Sequence, residues 1–204
     1  MLIRTLGATS LAIFVFLSLN CAPRAKFVPQ DTKSLRGTGK VYFAPLGDFP
    51  ASEIRKLVDY YRTKYGLSIE TLPHIPLDPK LENSERSQLT AEHVIDWIKS
   101  RNPELVNNPE AILIGLTTQD MYIAKYDWQF SFGWRQEGRY AVISNARMSL
   151  GRASEEKAHS RLRKMVTKNI GLMYFKLQQS DDPRSVLYKD IGGISELDAM
   201  GEEF

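Results

Sequence analysis

The chain has 204 residues, 43% of them hydrophobic and 25% charged, which is the balance of one ordinary globular domain with a sizeable core. Its formal net charge is +3, and no basic run is interleaved with aromatic residues, so a nucleic-acid partner is excluded as an expectation. Cys21 is the sole cysteine, which rules out an intramolecular disulfide.

The first twenty residues differ from the rest. Arg4 is the only charge, and an apolar stretch runs from Leu6 to Leu19. It falls short of the roughly 20 apolar residues of a membrane span and has the build of a secretory signal peptide over residues 1–20. Cys21 follows directly, where a bacterial lipoprotein is cleaved and lipidated, although Asn20 is larger than the small residue usual before such a cysteine. The expectation is a chain exported to the bacterial cell envelope and held to a membrane through lipidated Cys21, with soluble secretion as the alternative. Residues 21–38, with Pro23, Pro29 and Gly37 and no period, read as the lipidated N-terminus and a flexible tether.

The domain is expected over residues 39–204. Val41–Leu46 reads as a first strand. Ser52 then caps a helix with Ile54, Leu57, Val58 and Tyr61 at helical spacing, closed by Gly66. Leu67–Leu72 reads as a second strand, and Pro73–Gln88 as a proline-containing loop. Thr90 caps a second helix with Val94, Ile95, Trp97 and Ile98 as its apolar positions. Ala111–Leu116 is a continuous apolar run, expected of a strand buried on both faces. Asp127–Arg135 alternates apolar with polar or small residues, and so predicts an edge strand with Trp128, Phe130, Phe132 and Trp134 on one face, either towards a ligand or packed into the core. Tyr140–Ile143 is a further strand. A long helix is predicted from Ser154 towards Leu177, with Glu155 and Glu156 in its first turn. The class is α/β: a mixed, mostly parallel twisted sheet with an antiparallel edge strand, two backing helices, a long helix, and a small helical C-terminal part.

Several strings, in this order, resemble the archaemetzincin family of metzincin-type zinc metallopeptidases. Val41-Tyr42-Phe43-Ala44-Pro45-Leu46-Gly47 is similar to its opening strand, and Arg86-Ser87-Gln88 leading to Ala91 to the start of its second helix. Gly115-Leu116-Thr117 with Asp120-Met121-Tyr122 resembles its third strand and the following turn. Phe130-Ser131-Phe132-Gly133 and Ala141-Val142-Ile143-Ser144-Asn145-Ala146-Arg147 resemble the two strands before its active helix. The resemblance spans Gly39 to Phe204.

The family carries HExxHxxGxxH on that helix, in which two histidines one turn apart hold zinc and the glutamate polarises water. The matching stretch here runs from Lys168 to Gln178. The resemblance places Lys168, Leu172 and Gln178 at the three histidine positions, Asn169 at the glutamate, and Phe175 at the glycine that turns the chain. Gln179 and Ser185 fall at two cysteine positions of the family's second zinc, and Leu187 at its methionine turn. Leucine has no lone pair, lysine is a cation, and asparagine takes no proton from water. The resemblance therefore implies a pseudopeptidase with neither zinc, no metal and no catalytic residue, in which Trp128, Phe130, Phe132, Trp134 and Phe175 are candidates to line a cleft for a peptide or protein. A hydrolase working through a non-standard site is the alternative. Lys168 is expected either to fill the metal's space or to extend to solvent. His74, His93 and His159 do not form a ligand spacing and read as surface or capping residues, and the adjacent Ser160 points away from His159.

Overall fold

The computed structural model describes residues 34–204. Signal peptide, Cys21 and most of the expected tether lie outside them. The segment just before residue 39 is held: Leu35 packs against the core, and the Thr38 amide donates to the Tyr174 carbonyl at 3.0 Å.

Five strands form the main sheet: β1 (Lys40–Pro45), β2 (Ile69–Thr71), β5 (Ala111–Thr117), β8 (Tyr140–Ser144) and β7 (Gly133–Gln136), in the order β2-β1-β5-β8-β7. The first four run parallel, and β7 pairs antiparallel with β8 at the edge. All seven residues of β5 are buried, as a strand covered on both faces must be. Alternate residues serve two cores. Val41, Phe43, Ile112, Ile114, Leu116, Ala141 and Ile143 face α1 (Ala51–Tyr65) and α4 (Glu155–Met173). Tyr42, Ala44, Leu113, Tyr140 and Val142 face α2 (Ala91–Arg101). The short α3 (Pro103–Val106) follows α2.

Most element ends follow from local chemistry. Gly66 closes α1 in the left-handed conformation at φ 64°, which costs glycine nothing. Ser154 caps α4 by accepting from the Lys157 amide at 3.2 Å. The predicted cap at Ser52 is not one: α1 begins at Ala51 after Pro50, whose fixed φ suits the turn out of buried Phe49. Thr90 does sit at the head of α2, but its hydroxyl donates to the Tyr122 hydroxyl at 3.3 Å and not to the helix.

Three expectations need correction. The proline-containing loop holds a 3₁₀ turn at Pro79–Leu81 and two strands, β3 (Glu82–Asn83) and β4 (Gln88–Thr90), which build a second sheet with β6 (Met121–Tyr122). Asp127–Phe132 is not strand; only β7 is, because the aromatics before it settle in different environments. The C-terminal part, 174–204, is largely irregular, with one six-residue helix, α5 (Ile194–Ala199).

Candidate functional site at the C-terminal half of helix α4

Strand β7 runs over α4 and stays in step with it. A Cβ added to Gly133 would lie 3.2 Å from Met165 Cε, and Arg135 Nη1 donates to Asn169 Oδ1 at 3.4 Å. Two strand residues advance ~6.8 Å and four helical residues ~6 Å, so the contact repeats. Gly133 and Arg135 therefore share the face of β7 that looks onto α4. The other edge of β7 has no strand partner among the described residues.

Next to this contact, Lys168 is 5% exposed and Asn169 2% exposed. Lys168 is not extended to solvent: its ammonium donates to the Tyr188 backbone carbonyl. Asn169 Nδ2 donates back to the Met165 carbonyl at 2.8 Å, which fixes its oxygen towards Arg135. Burial pushes the Lys168 ammonium down to about 8, with the Arg135 charge adding to the shift and Asp190 opposing it. Burial likewise lowers Arg135. Arg147, Arg161 and Arg163 each hold a carboxylate, of Asp120, Asp198 and Glu202, at 2.6, 2.7 and 3.1 Å. Among the described residues, Arg135 and Lys168 form no such ion pair. Lys164, one turn earlier on α4, is also buried and donates to the Leu197 and Asp198 carbonyls, each at 3.1 Å. Two lysines of one helix face thus fasten the C-terminal segment through backbone oxygens.

The predicted residues are only partly brought together. Leu172 is half-buried against the core, and Gln178 is exposed beyond the end of the helix. The predicted helix to Leu177 stops at Met173. Lys176 takes φ 55°, uncommon for a side-chain-bearing residue, and the Leu177 amide returns to the Gly171 carbonyl at 3.0 Å. The chain thus turns one residue after Phe175. Ser185 and Leu187 are buried, and Gln179 is exposed.

The five aromatics do not form one face. Phe132 is buried in the core beside α4, with Phe130 edge-on at 5.2 Å. Trp134 packs on the α2 side, and Trp128 is 53% exposed, stacked on Tyr126 at 4.6 Å. Phe175 packs against Phe204 at 5.4 Å. Sequence reasoning passed over Arg135, although the two-residue strand period sets it opposite Trp134. His159, expected from sequence at the surface or as a cap, lies elsewhere. His159 is buried, and its Nδ1 lies 2.7 Å from Glu53 Oε2, tying α4 to α1. Two cavities lie away from Lys168: one of about 510 Å³ at Pro73–Pro79, Trp97 and Arg101, and one of about 330 Å³ between Thr118, Asn145, Ser149 and His159.

The molecule is of the α/β class, a mixed sheet with an antiparallel edge strand laid along a long helix, and solved structures make the fold specific. The archaemetzincin of Archaeoglobus fulgidus, solved as a complex with malonate, superposes with a TM-score of 0.65 at 20% identity, over 81% of this chain and 94% of that one. The archaemetzincin of Methanopyrus kandleri gives 0.63 at 21% identity, over 87% and 92%. A zinc-dependent peptidase from Methanocorpusculum labreanum gives 0.67 at 18% identity, over 80% and 95%. The chain has the archaemetzincin fold. No protein-family model matches the sequence, and no curated protein matches it.

The Methanocorpusculum labreanum neighbour is zinc-dependent, and the described residues at the matching part of this chain do not suit zinc. Among the described residues, no three His, Cys, Asp or Glu side chains come together to hold a metal ion. Where α4 meets β7 an arginine faces an amide, and the preceding helix residue, Lys168, holds a backbone carbonyl, whereas zinc is bound by thiolate, imidazole or carboxylate.

Proposed function

We propose that this protein is a pseudopeptidase: a chain of archaemetzincin fold that has exchanged zinc chemistry for binding, and that holds a peptide or protein along β7 and the C-terminal half of α4. The observation that carries the reading is buried Lys168. The sequence resemblance sets it at the first metal-ligand position, and its ammonium is committed to a backbone carbonyl. A positive charge there repels a metal ion, and Asn169 one residue on cannot act as a base. Asn169 is instead spent on holding Arg135 and the Met165 carbonyl. Among the described residues β7 has no strand neighbour on its outer side, and beyond Gly133, whose amide and carbonyl there are held by the Ser131 hydroxyl, that edge suits an extended peptide, which pairs its backbone with such edges.

We further propose export and anchoring through Cys21, supported by the apolar leader that ends at the sole cysteine. Among the described residues, no helix is long and apolar enough to cross a membrane.

The test is incubation of the full chain with a mixed peptide library, with zinc supplied, read by mass spectrometry. The proposal expects the library to be unchanged relative to a protein-free control. New termini that appear with zinc and vanish with a chelator would establish the alternative, a hydrolase working through a non-standard site.

A further inference from the structure

We infer that the crevice at the carboxyl ends of β1, β5 and β8 is a binding site for the ammonium group of a small organic amine, with His159 as its central acceptor. His159 stands nine residues before Lys168 on α4, ~13.5 Å along the helix, so the site is separate from the α4–β7 contact and does not rest on the pseudopeptidase reading.

The topology places a crevice here. From β1 the chain leaves through α1 to β2 on one side, and from β5 it goes on to β7 and β8 on the other. The ends of these neighbouring parallel strands stand where the connections part, which is where open α/β sheets leave room for a ligand. The loops are tied across it: the Thr118 hydroxyl, after β5, donates to Asp48, after β1. A cavity of about 330 Å³ remains, lined by Glu53, Thr118, Asn145, Ser149, Glu155 and His159.

His159 is built into this cavity. Its side chain is 9% exposed, and its Nδ1–H donates to Glu53 Oε2 at 2.7 Å. The carboxylate fixes the tautomer, so Nε2 carries a lone pair. Among the described residues Nε2 has no hydrogen-bond partner, yet it is not sealed from solvent, and the space it opens to is the cavity.

Charge selects the ligand. Three carboxylates, of Glu53, Glu155 and Asp48, surround the cavity, and the nearby cations are taken. Lys56 is shared by Glu53 and Glu155 at 2.8 and 3.1 Å. Arg161, which reaches the Met148 carbonyl, pairs with Asp198, and Arg147 pairs with Asp120. The helices α1 and α4 start here too, and Glu53 and Glu155 in their first turns already answer those dipoles. The field therefore favours a cation and opposes an anion. A metal ion does not suit, since among the described residues no three ligating side chains come together. An ammonium carries three N–H donors and no acceptor. It meets His159 Nε2, the Thr118 oxygen, whose own hydrogen is given to Asp48, and the Asn145 amide oxygen. Met148 and Leu162 supply an apolar wall for a short aliphatic stem.

NMR titration of the imidazole nitrogens tests this on the full, untagged chain in neutral detergent, at one fixed, mildly alkaline pH. The chain has three histidines, and His74→Gln with His93→Gln, both at exposed positions, leaves His159 as the sole imidazole. The probes share one shape: n-butylammonium, n-butanol and butyrate. The expected result is a saturable shift of the His159 signal with butylammonium, at the millimolar affinity of so small a ligand, and none with butanol or butyrate. Asn145→Ala, which leaves the His159–Glu53 contact in place, should weaken butylammonium about fivefold, the loss of one hydrogen bond. If that variant fails to fold by circular dichroism, Glu155→Gln, at an exposed position, replaces it and should weaken binding about twofold. Equal shifts with all three probes would assign the cavity to the apolar stem and overturn the ammonium. Butyrate binding in place of butylammonium would overturn the charge argument. No saturable shift with any probe, or unchanged affinity in the folded lining variant, would overturn the site.

Discussion

Replacing Lys168 with methionine keeps the length of the side chain and removes its charge, and the structure fixes how the effect depends on pH. The ammonium is lowered from an ordinary 10.5 to about 8, chiefly by burial. At ~1.4 kcal/mol per pH unit, this corresponds to roughly 3 kcal/mol of destabilisation carried by the charged, buried form. The sign follows from proton counting. Below pH 8 both folded and unfolded chains hold the proton, and the full penalty is present. Between 8 and 10.5 the folded chain releases it while the unfolded chain keeps it, so stability rises with pH; above 10.5 the penalty is gone. Methionine removes that penalty at every pH but strands the Tyr188 carbonyl, at a cost of about 1–3 kcal/mol. At pH 7 the two effects nearly offset, so a single comparison there decides nothing. Urea unfolding of both proteins from pH 7 to 10.5 does decide, because all other titrating groups are shared and cancel in the difference. Wild type should gain roughly 3 kcal/mol on Lys168→Met across that range. A difference that stays flat with pH would refute the buried, charged lysine.

Three further outcomes follow from named contacts. A Cβ on Gly171 would stand 2.5 Å from Phe204 Cε1 and 2.8 Å from Leu187 Cδ2, so Gly171→Ala should displace the C-terminal packing and cost about 1–3 kcal/mol by thermal unfolding. Arg161 holds Asp198 at 2.7 and 2.8 Å and the Leu150 carbonyl at 2.9 Å, so Arg161→Met should lose about 2–3 kcal/mol in urea, unlike a surface arginine. Cys21→Ala should abolish lipid labelling and release the protein from membranes; a variant that stays with membranes uncleaved would show that the leader itself is the anchor.

What the sequence made legible was what depends on neighbours along the chain. The apolar run of β5, the helical spacing of Ile54, Leu57 and Tyr61, the Gly66 stop and the Ser154 cap are all local signals. The order of the strings also pointed to the archaemetzincin fold. The alternation over Asp127–Arg135 misled because buried core, a surface stack on Tyr126 and the α2 side can each accept an aromatic, and together they imitate one strand face. The small second sheet was missed because strands of two or three residues carry no period. At the site, sequence could name Lys168 but not its direction, which is set by the Tyr188 carbonyl twenty residues on. The Arg135–Asn169 and Glu53–His159 contacts join residues 34 and 106 apart, and only the assembled sheet and helices bring them together.

Elemental analysis of the purified full chain, expressed in zinc-supplemented medium and dialysed without chelator, tests most directly the claim that zinc chemistry has been exchanged for binding. The account predicts zinc at background level, and the same for the Lys168→Met protein, because removing a cation restores no donor to the site. One equivalent of zinc retained by the wild-type chain would contradict it.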